Sequence, residues 1–191
     1  MNASISGLFS VLGIIAVIIA VLLVLFLVWM ISTSNSFARK TVKIDESLSG
    51  IEVALTKRYD TLTKMRDVAK SYAKHELDTL TTVISMRRGM SVKELTDSAN
   101  QMNEMASSIN VVAEAYPELR SNTVFEELQK GIRDTEEQLQ AARRLYNANV
   151  SSYNQQLVTF PASIIGRMRG FAKRDFFEAE EYKMQDVKMD L

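Results

Sequence analysis

The sequence contains no cysteine, which removes disulfides, thiolate metal sites, a cysteine nucleophile and an acylated lipoprotein start. Two prolines, Pro117 and Pro161, and seven glycines are too few for a fold built from many tight turns. Sheet architectures are therefore disfavoured, and an all-α chain is expected. Neither sign of charge is in excess, with 23 basic and 23 acidic residues, so no global field draws in nucleic acid or an acidic partner. Lys57-Arg58 and Arg143-Arg144 are isolated basic pairs without the clustering that nucleic-acid binding needs.

What the sequence does have is a long apolar run. From Leu8 to Ile31 it reads LFSVLGIIAVIIAVLLVLFLVWMI, without a charged side chain. As a helix this run is about 36 Å long, against a hydrocarbon core of about 30 Å. The preceding MNASISG has no basic residue and no small-residue cleavage site follows, so the run reads as a retained transmembrane helix and not a signal peptide. Trp29 suits the aromatic belt at the exit side. Arg39, Lys40 and Lys43 lie just beyond the span, which predicts the N-terminus outside and the remainder in the cytoplasm.

The rest is patterned for helices. Ile44, Leu48, Ile51, Leu55, Tyr59, Leu62, Met65, Ala69, Ala73, Leu77, Leu80 and Val83 are spaced by threes and fours, predicting a helix over about 41–89. Arg88-Gly89 supplies its end, and Ser91-Val92-Lys93-Glu94 is a capping box that opens a second helix. That helix carries Val92, Leu95, Ala99, Met102, Ala106, Ile109, Ala113 and Tyr116, and Pro117 stops it. Asn122 or Thr123 caps a third helix predicted over 122–160. Along it Phe125, Ile132, Leu139, Tyr146, Tyr153 and Phe160 form a heptad seam, with Thr135, Ala142, Val150 and Leu157 among its companions. The organisation expected is a membrane anchor over 1–32, an antiparallel up-down bundle of long helices over 41–160, and an amphipathic tail over 161–191.

Catalytic chemistry finds no footing. His75 is the single histidine; the zinc-protease spacing fails at Thr79, and the di-iron spacing fails at Tyr72. The acidic pairs Glu126-Glu127, Glu136-Glu137 and Glu180-Glu181 are adjacent on helices, so their members point about 100° apart and do not converge. No phosphate-cradling glycine loop and no serine elbow occur. No catalytic, metal or cofactor residue is expected, and no cofactor.

Several stretches resemble the bacterial LemA family. They are Ile51-x-Val53-x-Leu55-x-Lys57-Arg58-Tyr59-Asp60, Tyr72-Ala73-x-His75-Glu76, Ala115-Tyr116-Pro117-Glu118-Leu119, and Ala141-Ala142-Arg143-Arg144-x-Tyr146-Asn147 through Tyr153-Asn154 to Phe160-Pro161. Gly170-Phe171 and Phe177-Glu178 extend the likeness, which covers about 42–179. The family commonly has a proline soon after Arg-Tyr-Asp, where this chain reads Thr61-Leu62-Thr63-Lys64, so a straighter first helix is expected. The resemblance implies an antiparallel helical bundle tethered to a bacterial cell membrane, and no defined enzyme activity. Its members are associated with sensory and envelope systems.

Two functional expectations follow. The first is a non-enzymatic scaffold or adaptor, anchored in the bilayer through residues 8–31, that assembles with itself or with other membrane proteins. Arg143, Arg144, Tyr146 and Tyr153 are its expected interaction residues, and Met102 with Met105 offers a contact face or a core. The alternative is a lipid-binding or membrane-shaping protein using the basic, apolar segment 164–177. There Ile164, Ile165, Arg167, Met168, Arg169, Phe171, Lys173 and Arg174 either lie on anionic headgroups or close the end of the bundle.

Overall fold

The structure is a computed structural model that describes residues 2–73, 84, 86–87 and 89–177, with side chains from residue 12 onward. His75, Leu77, Leu80, Val83 and Glu180-Glu181 lie outside the described residues. The described elements are all helical: α1 (Asn2–Lys70), α2 (Val92–Ala115), α3 (Pro117–Arg120), α4 (Thr123–Val158) and α5 (Ala162–Met168). The apolar run and the first bundle helix are thus one continuous helix, without an interruption at Thr61–Lys64. The helix stops well before residue 89. Ser71 directs both its N–H and its hydroxyl to the Val68 carbonyl, and the Tyr72 N–H takes Ala69, tightening the last turn and ending the propagation.

The chain divides into two compact units, Met1–Val42 with Ser152–Lys173 and Lys43–Ser151 with Arg174–Leu191. In the larger unit, α4 runs antiparallel to α1. Asn149 donates to the Lys43 carbonyl and Ser47, Glu136 meets Arg58, and Asn122 donates to Tyr72. The numbering falls on one helix as it rises on the other. α2 rises beside α1 in the same sense, because the Gly89 N–H reaches Glu52 while Arg58 reaches Asn103.

The core of this unit is the stripe that the periodicity picks out. Ile44, Ile51, Leu55, Leu62, Met65 and Ala69 are buried on α1, and Leu95, Ala99, Met102, Met105, Ile109 and Ala113 on α2. Met102 and Met105 are core residues and not a contact face. Phe125, Leu139, Tyr146 and Val150 supply α4's share, and each large apolar side chain so buried contributes about 1.5–3 kcal/mol. The α2 start has the full capping box: the Glu94 N–H donates to the Ser91 hydroxyl, and the Ser91 N–H donates to the Glu94 carboxylate. Asn122, not Thr123, caps α4, its side-chain oxygen accepting from the Val124 and Phe125 N–H groups.

In the smaller unit, every described side chain from Leu12 to Val28 is exposed, an apolar surface with nothing packed on it. The helix then gains cover. Phe37 is fully buried, edge-on to Tyr153 at 5.8 Å and stacked on Phe171 at 4.9 Å. Ser36 donates to Gln156, and the Lys40 ammonium donates to the Ser152 carbonyl and hydroxyl. α5 ends in a Schellman motif. Gly170 takes φ +71° while its N–H bonds Arg167, and the Phe171 N–H bonds Gly166. Phe160, a seam residue by its heptad spacing, lies past the end of α4 and is 77% exposed. The Thr159 hydroxyl donates to the Gln155 carbonyl at that last turn, and Pro161 has no N–H to extend it.

Candidate functional site

The most developed polar site is a clamp on α4, built from Arg143, Tyr146 and Asn147. The three- and four-residue steps that bury Leu139, Tyr146 and Val150 set Arg143 and Asn147 at the border of the buried stripe, both half-buried. Residues 174–177 carry no helix and lie along that border. The Asn147 side-chain amide donates to the Phe177 carbonyl at 3.0 Å, and its oxygen accepts the Phe177 N–H at 2.8 Å. One amide thus satisfies both polar groups of one residue, as a neighbouring β-strand would. The Tyr146 hydroxyl donates to the Asp175 carbonyl at 3.0 Å. Phe177 itself is buried, with the Arg143 guanidinium 4.8 Å above its ring.

The Tyr146 and Asn147 hydrogen bonds to this segment all meet its main chain, and the Arg143 guanidinium covers its aromatic ring. The arrangement holds the extended segment 174–177 of the same chain by its backbone and by the ring of Phe177. Burial raises the Tyr146 hydroxyl pKa above its ordinary value; Arg174 opposes the rise, while Asp175 and Asp45 add to it. The hydroxyl is consequently held neutral as a donor.

The repeated Tyr-Asn dipeptide serves two different neighbourhoods. Tyr146-Asn147 forms the clamp in the larger unit, whereas Tyr153 in the smaller unit packs against Phe37. Arg144 is exposed on α4. Of the tail residues, Ile165 is buried, and Phe171 is half-buried on Phe37. Ile164, Arg167, Met168, Lys173 and Arg174 are exposed, and so is Arg169, whose guanidinium donates to the Ser34 hydroxyl.

One polar centre went unrecognised in the sequence. Arg58 is 5% exposed, and its guanidinium joins Asn103 of α2 at 2.6 Å to Glu136 of α4 at 3.2 Å. A shallow cleft of about 570 Å³ opens beside it, lined also by Ile132, Arg133 and Gln140. The available signal was the step pattern itself: Arg58 sits three after Leu55 and four before Leu62, on the apolar stripe. Among the described residues no group of His, Asp and Glu side chains converges as a metal site would require.

Comparison with known proteins adds two findings. The sequence pattern of the LemA family matches residues 47–191. Protein LemA of Metamycoplasma hominis is 24% identical over 162 residues, covering 82% of this chain and 74% of that protein.

Proposed function

Because the chain belongs to the LemA family, we propose that it works as a non-enzymatic scaffold or adaptor, held at a bacterial cell membrane by the helix around residues 8–31. The observation that carries this reading is the clamp on α4, which recognises peptide main chain and one aromatic ring. Its own residues 174–177 occupy it here, and the same segment from a second copy offers identical groups. Exchange of that segment between chains then joins two bundles without any new surface, the route by which swapped elements make dimers. The exposed apolar run from Leu12 to Val28 supports anchorage, and Arg39, Lys40 and Lys43 support a cytoplasmic bundle.

The test is the mass of full-length protein in detergent, measured by light scattering after size exclusion across a concentration series. A defined multimer that Asn147→Ala and Phe177→Ala both dissociate is the expected result. A wild-type monomer at every concentration overturns self-assembly. A multimer indifferent to both substitutions removes the clamp from the interface.

A further inference from the structure

In the smaller unit a cleft of about 240 Å³ lies between α1 and α5, just past the end of the apolar run. Met30, Ile31, Ile165 and Met168 form its apolar walls, and Ser34 and Arg169 its polar side. We propose that this cleft binds the phosphate end of an anionic phospholipid from the bilayer leaflet around the span. The inference rests on the reading of residues 8–31 as a membrane anchor and goes beyond the scaffold role.

Depth is the first argument. Ser34 is one turn beyond Ile31, about 4.5 Å farther along the helix axis. The polar zone of a bilayer begins at the edge of the hydrocarbon and extends about 5–7 Å on each side. If Ile31 marks that edge, Ser34 and Arg169 stand where lipid phosphates stand. Trp29, half-buried and 5.7 Å from the Phe26 ring, occupies the interfacial position such rings favour.

Charge is the second. Among the described residues no acidic side chain lines the cleft. Arg169 spends its Nε and one terminal nitrogen on the Ser34 hydroxyl, at 3.2 and 2.9 Å, which fixes the guanidinium plane and leaves its other donors for a second acceptor. A planar fork held in this way suits a phosphate, which accepts two parallel hydrogen bonds. Arg167 and Lys173 are exposed in the same segment and add a field of the same sign.

The third is the apolar surface around the mouth. Met168 is 70% exposed, Ile31 57% and Ile164 46%. In water these side chains are a cost; against acyl chains they are not. The cleft is too small for a whole lipid, so it takes the phosphate and glycerol while the chains run along the exposed face below Ile31.

Trp29 is the chain's only tryptophan and precedes Met30 of the cleft wall, so it reports on bound lipid. Full-length protein is reconstituted in phosphatidylcholine vesicles that contain a fraction of dibrominated phosphatidylglycerol or of dibrominated phosphatidylcholine, and Trp29 quenching is followed. The phosphatidylglycerol is expected to quench at about fivefold lower mole fraction, the scale of one basic contact at the headgroup level. Arg169→Gln should erase most of that preference, Arg169→Lys should keep part of it, and Lys173→Gln, outside the cleft, should keep most. Equal quenching of the wild type by both lipids overturns the site. Equal loss in Arg169→Gln and Lys173→Gln also overturns it, in favour of diffuse surface charge. Protein that fails to float with the vesicles, or is quenched by neither lipid, refutes the membrane anchor and the cleft with it.

Discussion

Replacing Arg58 by methionine tests whether the bundle is tied through a buried charge. The Arg58 side chain is 7% exposed and Glu136 34%, and one terminal guanidinium nitrogen serves both Glu136 and Asn103. Removing one member of a fully buried ion pair costs about 3–5 kcal/mol, because the partner stays behind uncompensated. Here Glu136 is partly exposed although its Oε2 facing Arg58 is buried, and Gln140 still donates to Oε1 at 2.8 Å, so part of that cost is offset. We therefore expect a loss of about 2–3 kcal/mol, or roughly 4–12 °C in the melting temperature of a chain this size. The assay is thermal unfolding of the full-length protein in detergent, followed by far-UV circular dichroism. A triple variant, Arg58→Met with Asn103→Leu and Glu136→Met, should recover much of the loss, since an apolar replacement of the whole network strands no polar group. Arg58→Lys should fall between wild type and Arg58→Met, because an ammonium keeps the charge and loses the planar geometry. If Arg58→Met melts with the wild type, or if the triple variant is worse than the single one, the network is not what ties α1 to α2 and α4.

Ser91→Ala should cost about 1 kcal/mol by removing the α2 cap. The Glu94 carboxyl is held down at about 2 instead of 4.5 by its bonds to the Ser91 N–H and hydroxyl and by Arg87. Its stabilisation is present above the ordinary value and lost as pH falls from about 4.5 towards 2, so Glu94→Gln should flatten the acid side of a stability–pH curve. Asn147→Ala should release residues 174–177 from α4, read as faster tryptic cleavage at Arg174 with no change in overall helicity. Raising pH above about 10, the ordinary tyrosine value, should loosen the same segment. The folded pKa of Tyr146 is raised, so its contribution is complete below that value and fades above it, and Tyr146→Phe should remove that dependence. Gly170→Ala places a side chain at φ +71°, a conformation that costs about 1–2 kcal/mol, and should speed amide exchange at residues 170 and 171. Since the chain has no cysteine, a single Ser107→Cys on exposed α2 should be labelled by an impermeant maleimide only after cells are opened. Labelling of intact cells would reverse the proposed orientation.

The features legible in the sequence are those set by neighbours in the chain. The α2 stripe, its capping box and its stop before Pro117 depend on residues within two turns of one another, and all three stand in the structure. The end of α1 was not legible, because spacing by threes and fours says which face is apolar and nothing about where the chain turns. Past Lys70 the pattern runs on, while the Ser71 hydroxyl ends the helix from within. Phe160 keeps the heptad spacing for the same reason and still lies outside the helix. Arg58 was hidden by composition: a basic pair reads as solvated surface unless its place on the apolar stripe is weighed above its charge. The clamp left the least trace. Its donors and acceptors meet main chain, which every residue carries, so the contacted segment needs no particular side chain beyond Phe177. A site of this kind constrains the residues that do the reading, Tyr146 and Asn147, far more than the peptide being read. Under the proposed exchange between copies, that asymmetry means a second chain would need only the same extended backbone and one aromatic ring to take the place of the first.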